Sequence, residues 1–510
     1  MSAGSTEHSA ARDCRFCQRR RIKCDRGLPS CRKCSKRGLE CPGYGLQLKW
    51  VDGVASRGNL RGRAVPSLDA PVTTAGGFPT ERNTLARDIT VPNVYKSDTQ
   101  IHSASSGPLQ FPISNICLSP SRPLHISQLL RWFNERVAHR LAWVPHQSAW
   151  RQMILPMAES SETVLSSILA IAAHDLASEY PPNEAGHMKF QDISSSYQDR
   201  SLALLARELN RLSSLSSAGA VEASTTSAYT LASVIILCNN EFMKPQGAGW
   251  RVHLSAARQI ILAAGYQPYQ QNQLACIQEF LLLEFYETSV WADLTNFKDD
   301  ELIVKTPPAS TENAVFTDFI RVIDQITRLE RLKFRSESSG HHCSYGVMQD
   351  ILSQITSARD GMIRLSGSIP FASEADRRGF ELVVWMYYHA TLIYCHQALS
   401  SDSASTYHVK RSRDEIIRYV QTLSENRDSM FAQDLVWPLF LAGTELKGDI
   451  VGQKVIRESF ANVMRISRSL DRARVLSFVE SWWNDPGTYT SWIDMARKQS
   501  QLSQCDILIL

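Results

Sequence analysis

From about residue 125 onward, apolar side chains recur at intervals of three and four. Val164, Leu165, Ile168, Leu169, Ala172 and Leu176 mark one such series. Leu202, Leu205, Leu209 and Leu212 mark a second, with Arg207, Glu208 and Arg211 between them, and Trp250, Leu254, Ala257 and Ile261 mark a third. A turn of about 3.6 residues brings each series to one side, so each stretch predicts an amphipathic helix. Phe380–Leu399 is apolar nearly all round and is interrupted by Glu381, His389 and His396. Those polar residues fit a buried helix better than a membrane span. Prolines at 145, 156, 181, 182, 245, 268, 307, 308, 370, 438 and 486 cut the region into helix-sized pieces. Period-two alternation and Asn-Gly hairpin signals are scarce, and no fixed-period repeat is present. Residues 125–510 therefore read as one large all-α domain.

The pattern breaks off towards the N-terminus. Residues 1–11 are small and polar and read as a disordered tail; residues 12–48 are rich in cysteine and base; residues 49–124 read as a flexible linker. Within 51–124 lie 8 of the 21 prolines, 6 glycines, 15 serines and threonines and no tryptophan. Such a segment buries too little apolar surface to offset the entropy of ordering it. Its first part, Val51–Arg63, is rich in Gly and Arg and has no heptad, so no coiled coil is expected after the cysteine cluster. No apolar run approaches the roughly 18 residues of a membrane span, and the first residues hold no apolar signal core. The expectation is a soluble intracellular chain with no membrane partner.

Charge divides the chain unevenly. Residues 1–63 carry 15 Lys/Arg against 5 Asp/Glu, whereas the whole chain has a net charge of only +4. A basic head on a mildly acidic body points to a module that binds a polyanion. The cysteines are just as uneven: six of the twelve lie between Cys14 and Cys41. Without an export signal, a dense cluster suits metal better than disulfides.

The cluster reads Cys14-x2-Cys17-x6-Cys24-x6-Cys31-x2-Cys34-x6-Cys41, one half-unit used twice at an offset of 17 residues. A structural zinc takes four ligands. One zinc would strand two thiolates, and two zincs require two sulfurs to bridge both metals. The duplication suggests the equivalent pair Cys14 and Cys31 as the bridges. Six thiolates and two Zn²⁺ leave a charge of −2, which the surrounding Arg and Lys offset. Between Cys17 and Cys24 lies Gln18-Arg19-Arg20-Arg21-Ile22-Lys23, read as a short helix that only the metal can nucleate.

This spacing, with its basic run and Pro29 two residues before the fourth cysteine, resembles the fungal binuclear zinc cluster, the Zn2Cys6 DNA-binding domain, over roughly residues 12–44. The resemblance implies a small metal-nucleated domain with two short helices. It implies that Cys14, Cys17, Cys24 and Cys31 hold one zinc, and Cys31, Cys34, Cys41 and Cys14 the other. It further implies that the helix enters the major groove of double-stranded DNA, with Arg20 and Arg21 reaching the bases. Guanidinium donates two hydrogen bonds to guanine, which suits the family's CGG-type triplets. Family members often carry lysine at these two positions, so the detail of the contact here differs. Arg19, Lys23, Arg32, Lys33, Lys36 and Arg37 are assigned to phosphates, although an exposed basic residue is equally often a solvated surface charge.

The body holds no nucleophile elbow, zinc-protease helix or phosphate-binding glycine loop, so no enzyme is expected. His341-His342-Cys343 reads as loop and Cys395-His396 as core, and neither has the spaced partners of a second metal site. Cys117, Cys238, Cys276 and Cys505 are read as ordinary thiols. The stretches LLRWFNERVAHRL, MILPMAESSETVLSSILAIAAHDLAS and GWRVHLSAARQIILAAG resemble the fungal-specific transcription-factor domain. Pro42-Gly43-Tyr44-Gly45 followed by Leu48-Lys49-Trp50 resembles the acriflavine-sensitivity-control type of regulator. These resemblances imply a nuclear, sequence-specific regulator of RNA polymerase II genes. They also imply that the body meets transcription machinery, co-regulators or a small-molecule effector. The alternative reading is a zinc-tethered enzyme or metabolite-binding protein whose head only localises it.

Overall fold

Polar residues at helix starts set many of the element boundaries. Ser161, Ser373 and Asp449 each accept a hydrogen bond from the backbone N–H three residues on, capping the helices that follow. The structure, a computed structural model, describes residues 14, 16–17, 20, 22–27, 31–39 and 41, and residues 123–509 outside the connections 145–147, 215–219, 246–248, 265–272, 298–314, 337–344, 401–404, 426–428 and 502–508. The tail at 1–11 and nearly all of the segment 49–124 lie outside the described residues. The chain divides into two compact units, residues 1–90 with 210–216 and residues 91–209 with 217–510.

Among the described residues up to 41, the first unit is built around the cysteines, with the short helix α1 (Arg32–Ser35) and helical geometry at Phe16 and Cys17. The second unit is all-helical among its described residues. It opens with α2 (Leu124–Trp132), which runs through a π-helical segment, Phe133–Val137, into α3 (Ala138–Arg140). A second π-helical segment, Trp150–Ile154, leads into α4 (Leu155–Met157). Then come α5 (Glu162–Ala177), α6 (Ala185–Ser214), α7 (Ala220–Phe242), α8 (Trp250–Ala264) and α9 (Gln273–Asp293). The chain continues through α10 (Thr317–Ser336), α11 (Tyr345–Ser366), α12 (Glu374–Leu399) and α13 (Ser405–Ser424). A 3-10 helix, Met430–Leu435, precedes α14 (Val436–Thr444), α15 (Ile450–Ser467), α16 (Arg472–Trp483) and α17 (Trp492–Gln501).

Two helices organise the packing. α12 lies against α10, α11, α13 and α14, and α7 lies against α5, α8 and α9. A helix surrounded on all sides must be apolar on all sides, which accounts for the composition of 380–399. Phe380, Val384, Tyr387, Ala390, Ile393 and Tyr394 are all buried. Its polar interruptions are satisfied sideways by neighbouring helices. Ser366 donates to Glu381 (2.8 Å), His389 Nδ1 meets Ser412 Oγ (3.2 Å) and His396 Nδ1 meets Ser405 Oγ (3.0 Å). No described helix is long and apolar enough to cross a membrane.

Two expectations shift in detail. In α8 the buried residues are Trp250, His253, Ala256, Ala257 and Ile260, with Leu254 and Ile261 at the edge of the interface. His253 also lies on the buried face, near Glu241 and Lys244. Pro156 and Pro438 do not separate helices. Each lies within a helical run: the π-helical segment Trp150–Ile154 passes directly into α4 at Pro156, and the 3-10 helix Met430–Leu435 passes into α14 two residues before Pro438.

Candidate metal centre and nucleic-acid interface

The two half-units share one closing hydrogen bond. Ile22 N–H donates to the Cys17 carbonyl at 3.0 Å, and 17 residues later Leu39 N–H donates to the Cys34 carbonyl at 3.2 Å. Each bond closes a single helical turn back on itself. In the second half Gly38 supplies the left-handed residue of that closure, at φ 64°. The first turn is shorter than expected. Arg20 N–H reaches the Phe16 carbonyl (3.1 Å), but Ile22 and Lys23 have left the helix. The reason is that the chain must turn back to deliver Cys24, and Ile22 packs on the cluster as it does so.

These turns gather the six cysteines. Cys14, Cys17, Cys24 and Cys31 form one group with all sulfurs within 4.8 Å; Cys14, Cys31, Cys34 and Cys41 form another. The groups share Cys14 and Cys31, whose sulfurs are 3.5 Å apart. The Cys14–Cys34 and Cys17–Cys31 sulfurs are 3.7 Å apart. A zinc–sulfur bond of about 2.3 Å sets a tetrahedral edge of about 3.8 Å, whereas a disulfide would bring the sulfurs to about 2.05 Å. The spacing therefore fits tetrahedra, and the shared edge is the shorter one. Two tetrahedra joined along an edge behave this way, because repulsion between the cations draws the bridging sulfurs together.

The electrostatics call for cations. Burial pushes the Cys14 thiol up to about 12 and raises Cys17 and Cys31 as well, so packing alone holds these sulfurs neutral. Cys24 goes the other way, to about 7. Burial opposes its ionisation, but the backbone N–H groups of Cys14 (3.5 Å) and Arg26 (3.4 Å) both donate to its sulfur and prevail. Cys31 caps α1 by accepting from Cys34 N–H at 3.3 Å. Two zinc ions supply the missing positive charge, and loading them releases protons.

Sequence reasoning missed Asp25. Its carboxylate accepts from the backbone N–H groups of Arg32 (2.9 Å) and Lys33 (3.2 Å), tying the loop after Cys24 to the start of α1. The Arg32 N–H, with that of Lys33, holds the Asp25 carboxyl below its ordinary range. The signal available was a lone acidic residue directly after a cysteine in a basic run.

Of the expected DNA contacts, Lys23, Arg32, Lys33, Lys36 and Arg37 are exposed and Arg20 is half-buried; Arg19 and Arg21 lie outside the described residues. The 17-residue offset pairs Arg19 with Lys36, Arg20 with Arg37, Arg21 with Gly38 and Lys23 with Glu40. The halves share the hydrogen bond that closes each turn, but at these positions the first carries four cations where the second carries two and an acid. No other group of potential metal ligands occurs among the described residues. Cys395 is buried in α12 and Cys238 in α7, while Cys276 is exposed; 341–343, Cys117 and Cys505 lie outside the described residues.

Comparison with known proteins agrees with this geometry. Residues 12–50 match the fungal Zn(2)-Cys(6) binuclear cluster domain, and residues 128–505 match the fungal specific transcription factor domain. The acriflavine sensitivity control protein acr-2 of Neurospora crassa is 34% identical over 119 residues, which is 23% of this chain and 17% of that protein. The chain thus matches less than a fifth of that relative's length, and no solved structure matches it. With most of its helical body and all six clustered cysteines matched, the chain belongs to the fungal specific transcription factor family and carries a binuclear cluster domain whose cysteines are arranged to hold two zinc ions.

Proposed function

We propose that the chain is a nuclear regulator of RNA polymerase II genes that reads CGG-type triplets. Cys14 and Cys31 bridge the two zincs; Cys17 and Cys24 complete one tetrahedron, and Cys34 and Cys41 the other. Arg20 and Arg21 reach guanine edges in the major groove, while Arg19, Lys23, Arg32, Lys33, Lys36 and Arg37 neutralise phosphates. The residues between the cluster and 125 act as a tether. The helical body, 125–510, responds to co-regulators or to an effector. The observation that carries this reading is the asymmetry of the two halves: equivalent turns, with the cations concentrated on the first. Selection from a random DNA pool by the full chain should enrich CGG triplets, and a chromatin map should place discrete peaks over them at promoters. Enrichment of no motif, or a diffuse map, would refute the reading.

A further inference from the structure

Helix packing divides the helical body into two bundles, both within the second compact unit. α2–α5 and α7–α9 pack on one another, and so do α10–α16. Among the described residues, the main helix pair that joins the bundles is α9 against α10. That joint is well tied. Thr317 Oγ1 donates to Glu287 (3.0 Å), Tyr286 OH to Asp324 (3.4 Å), and Arg331 to the carbonyls of Asn296 (2.9 Å) and Asp293 (2.6 Å). Aromatic contacts between the bundles gather there too. Trp291 of α9 meets Trp437 (5.5 Å), and Phe316, just before α10, meets Trp143 (4.6 Å).

Beside the joint the bundles are held less closely. A cavity of about 140 Å³ lies between them, lined by Asp175, Phe242 and Glu287 of the first and by Tyr387, Asp434 and Arg472 of the second. Polar groups on both walls take the place of interlocking apolar side chains, so this part of the boundary lacks the close packing that resists separation.

The turn between α15 and α16 also borders this cavity, and it clips the second bundle to the first. Arg468 Nη1 donates to the carbonyl (3.1 Å) and hydroxyl (3.2 Å) of Ser178 at the end of α5, and its Nη2 donates to Glu179 (2.9 Å). The Asp471 N–H donates to the Phe242 carbonyl at the end of α7 (3.2 Å). A guanidinium suits the end of α5, where the last carbonyls lack helical donors and the dipole is negative. Arg468 ends α15 at φ 60°, a left-handed position that glycine ordinarily takes. An arginine holds that angle here with its side chain reaching the other bundle. The Arg468–Glu179 pair is 30% and 35% exposed, so water can replace the clip without unfolding either bundle.

We propose that the helical body opens between its two bundles, with the α9–α10 joint as the hinge and Arg468 as the latch that keeps the cavity shut. Release of Arg468 and of the Asp471 N–H frees the turn from α5 and α7, while the bonds at the joint persist. The hinge and latch concern the body alone and do not depend on the DNA reading.

Two reporters in the full, zinc-loaded chain test this. One is hydrogen exchange of the Asp471 amide, which is bonded across the boundary; the other is maleimide labelling of Thr288→Cys, a cavity-lining position on α9. Arg468→Gly removes the latch and keeps the left-handed helix end without strain. It should speed both reporters together by about tenfold or more, the usual size of a lost charge-assisted hydrogen bond. Amides of α12, inside the second bundle, should keep their rates, as should labelling of the exposed Cys276. Glu179→Gln, a change at an exposed residue, should speed both reporters by about two- to fivefold. Faster exchange at Asp471 with unaltered labelling of Thr288→Cys would mean that only the turn frays, and would overturn the hinge. Unaltered reporters in both variants, or an equal loss of protection throughout α12, would overturn it as well.

Discussion

Replacing Arg20 with alanine, beside the same change at Arg37, tests whether the two halves of the cluster have different duties. The 17-residue offset makes the two positions equivalent in sequence, and each N–H is bonded within its own turn: Arg20 N–H to the Phe16 carbonyl four residues back at 3.1 Å, Arg37 N–H to the Cys34 carbonyl three residues back at 3.0 Å. Neither side chain is a zinc ligand, so each variant should retain its metal. A bidentate guanidinium–guanine contact discriminates by about 1–3 kcal/mol. Arg20→Ala should therefore lose roughly five- to 150-fold in affinity on a CGG duplex and much less on a scrambled one. Arg37→Ala should instead remove about one phosphate contact. Its loss should be equal on both duplexes, and its log-affinity against log-salt slope should flatten by about 0.9. The assay is fluorescence anisotropy with the full chain at several salt concentrations, with zinc content checked in each variant. Equal loss by both variants on both duplexes would refute the assignment of readers and positioners.

The other expectations concern metal, core and pH. Cys31→Ala removes a sulfur from both four-cysteine groups and should leave less than about one zinc equivalent, whereas Cys24→Ala should leave about one; equal losses in metal analysis would count against shared sulfurs. Phe380 is fully buried against the rings of Phe316 (5.6 Å), Phe371 (5.3 Å) and Phe431 (6.0 Å), so Phe380→Ala should cost about 3–5 kcal/mol in urea unfolding. A loss under about 1 kcal/mol would contradict that packing. Burial lowers His253 to about 4 against an ordinary 6.5, so its contribution to stability is present above 6.5 and is lost as pH falls through 4. His253→Gln lacks that titration. Between pH 7 and pH 5 the stability gap between the two chains should move by about 2 kcal/mol in favour of the variant. A gap independent of pH would mean that His253 is hydrated in the fold.

Short-range signals were legible in the sequence alone. Cysteine spacing is a local property, and the 17-residue offset already implied a shared pair of sulfurs, Cys14 and Cys31. The 3.6-residue periodicity located α5 and α8, and the all-round apolarity of 380–399 marked the helix that other helices surround. The charge of the head followed from counting. The tertiary structure decided what depends on residues far apart in the chain. It decided which side of α8 is buried, placing His253 on the covered face beside Glu241 at the end of α7 and Lys244 just beyond it. It gave Asp25 its role, which exists only once the loop after Cys24 meets α1. It also brought Glu284, Glu287, Gln433 and Asp434 to one cavity from segments about 150 residues apart. Periodicity reports which face of a helix avoids water, but not which neighbour covers it, because the covering surface is supplied by another part of the chain.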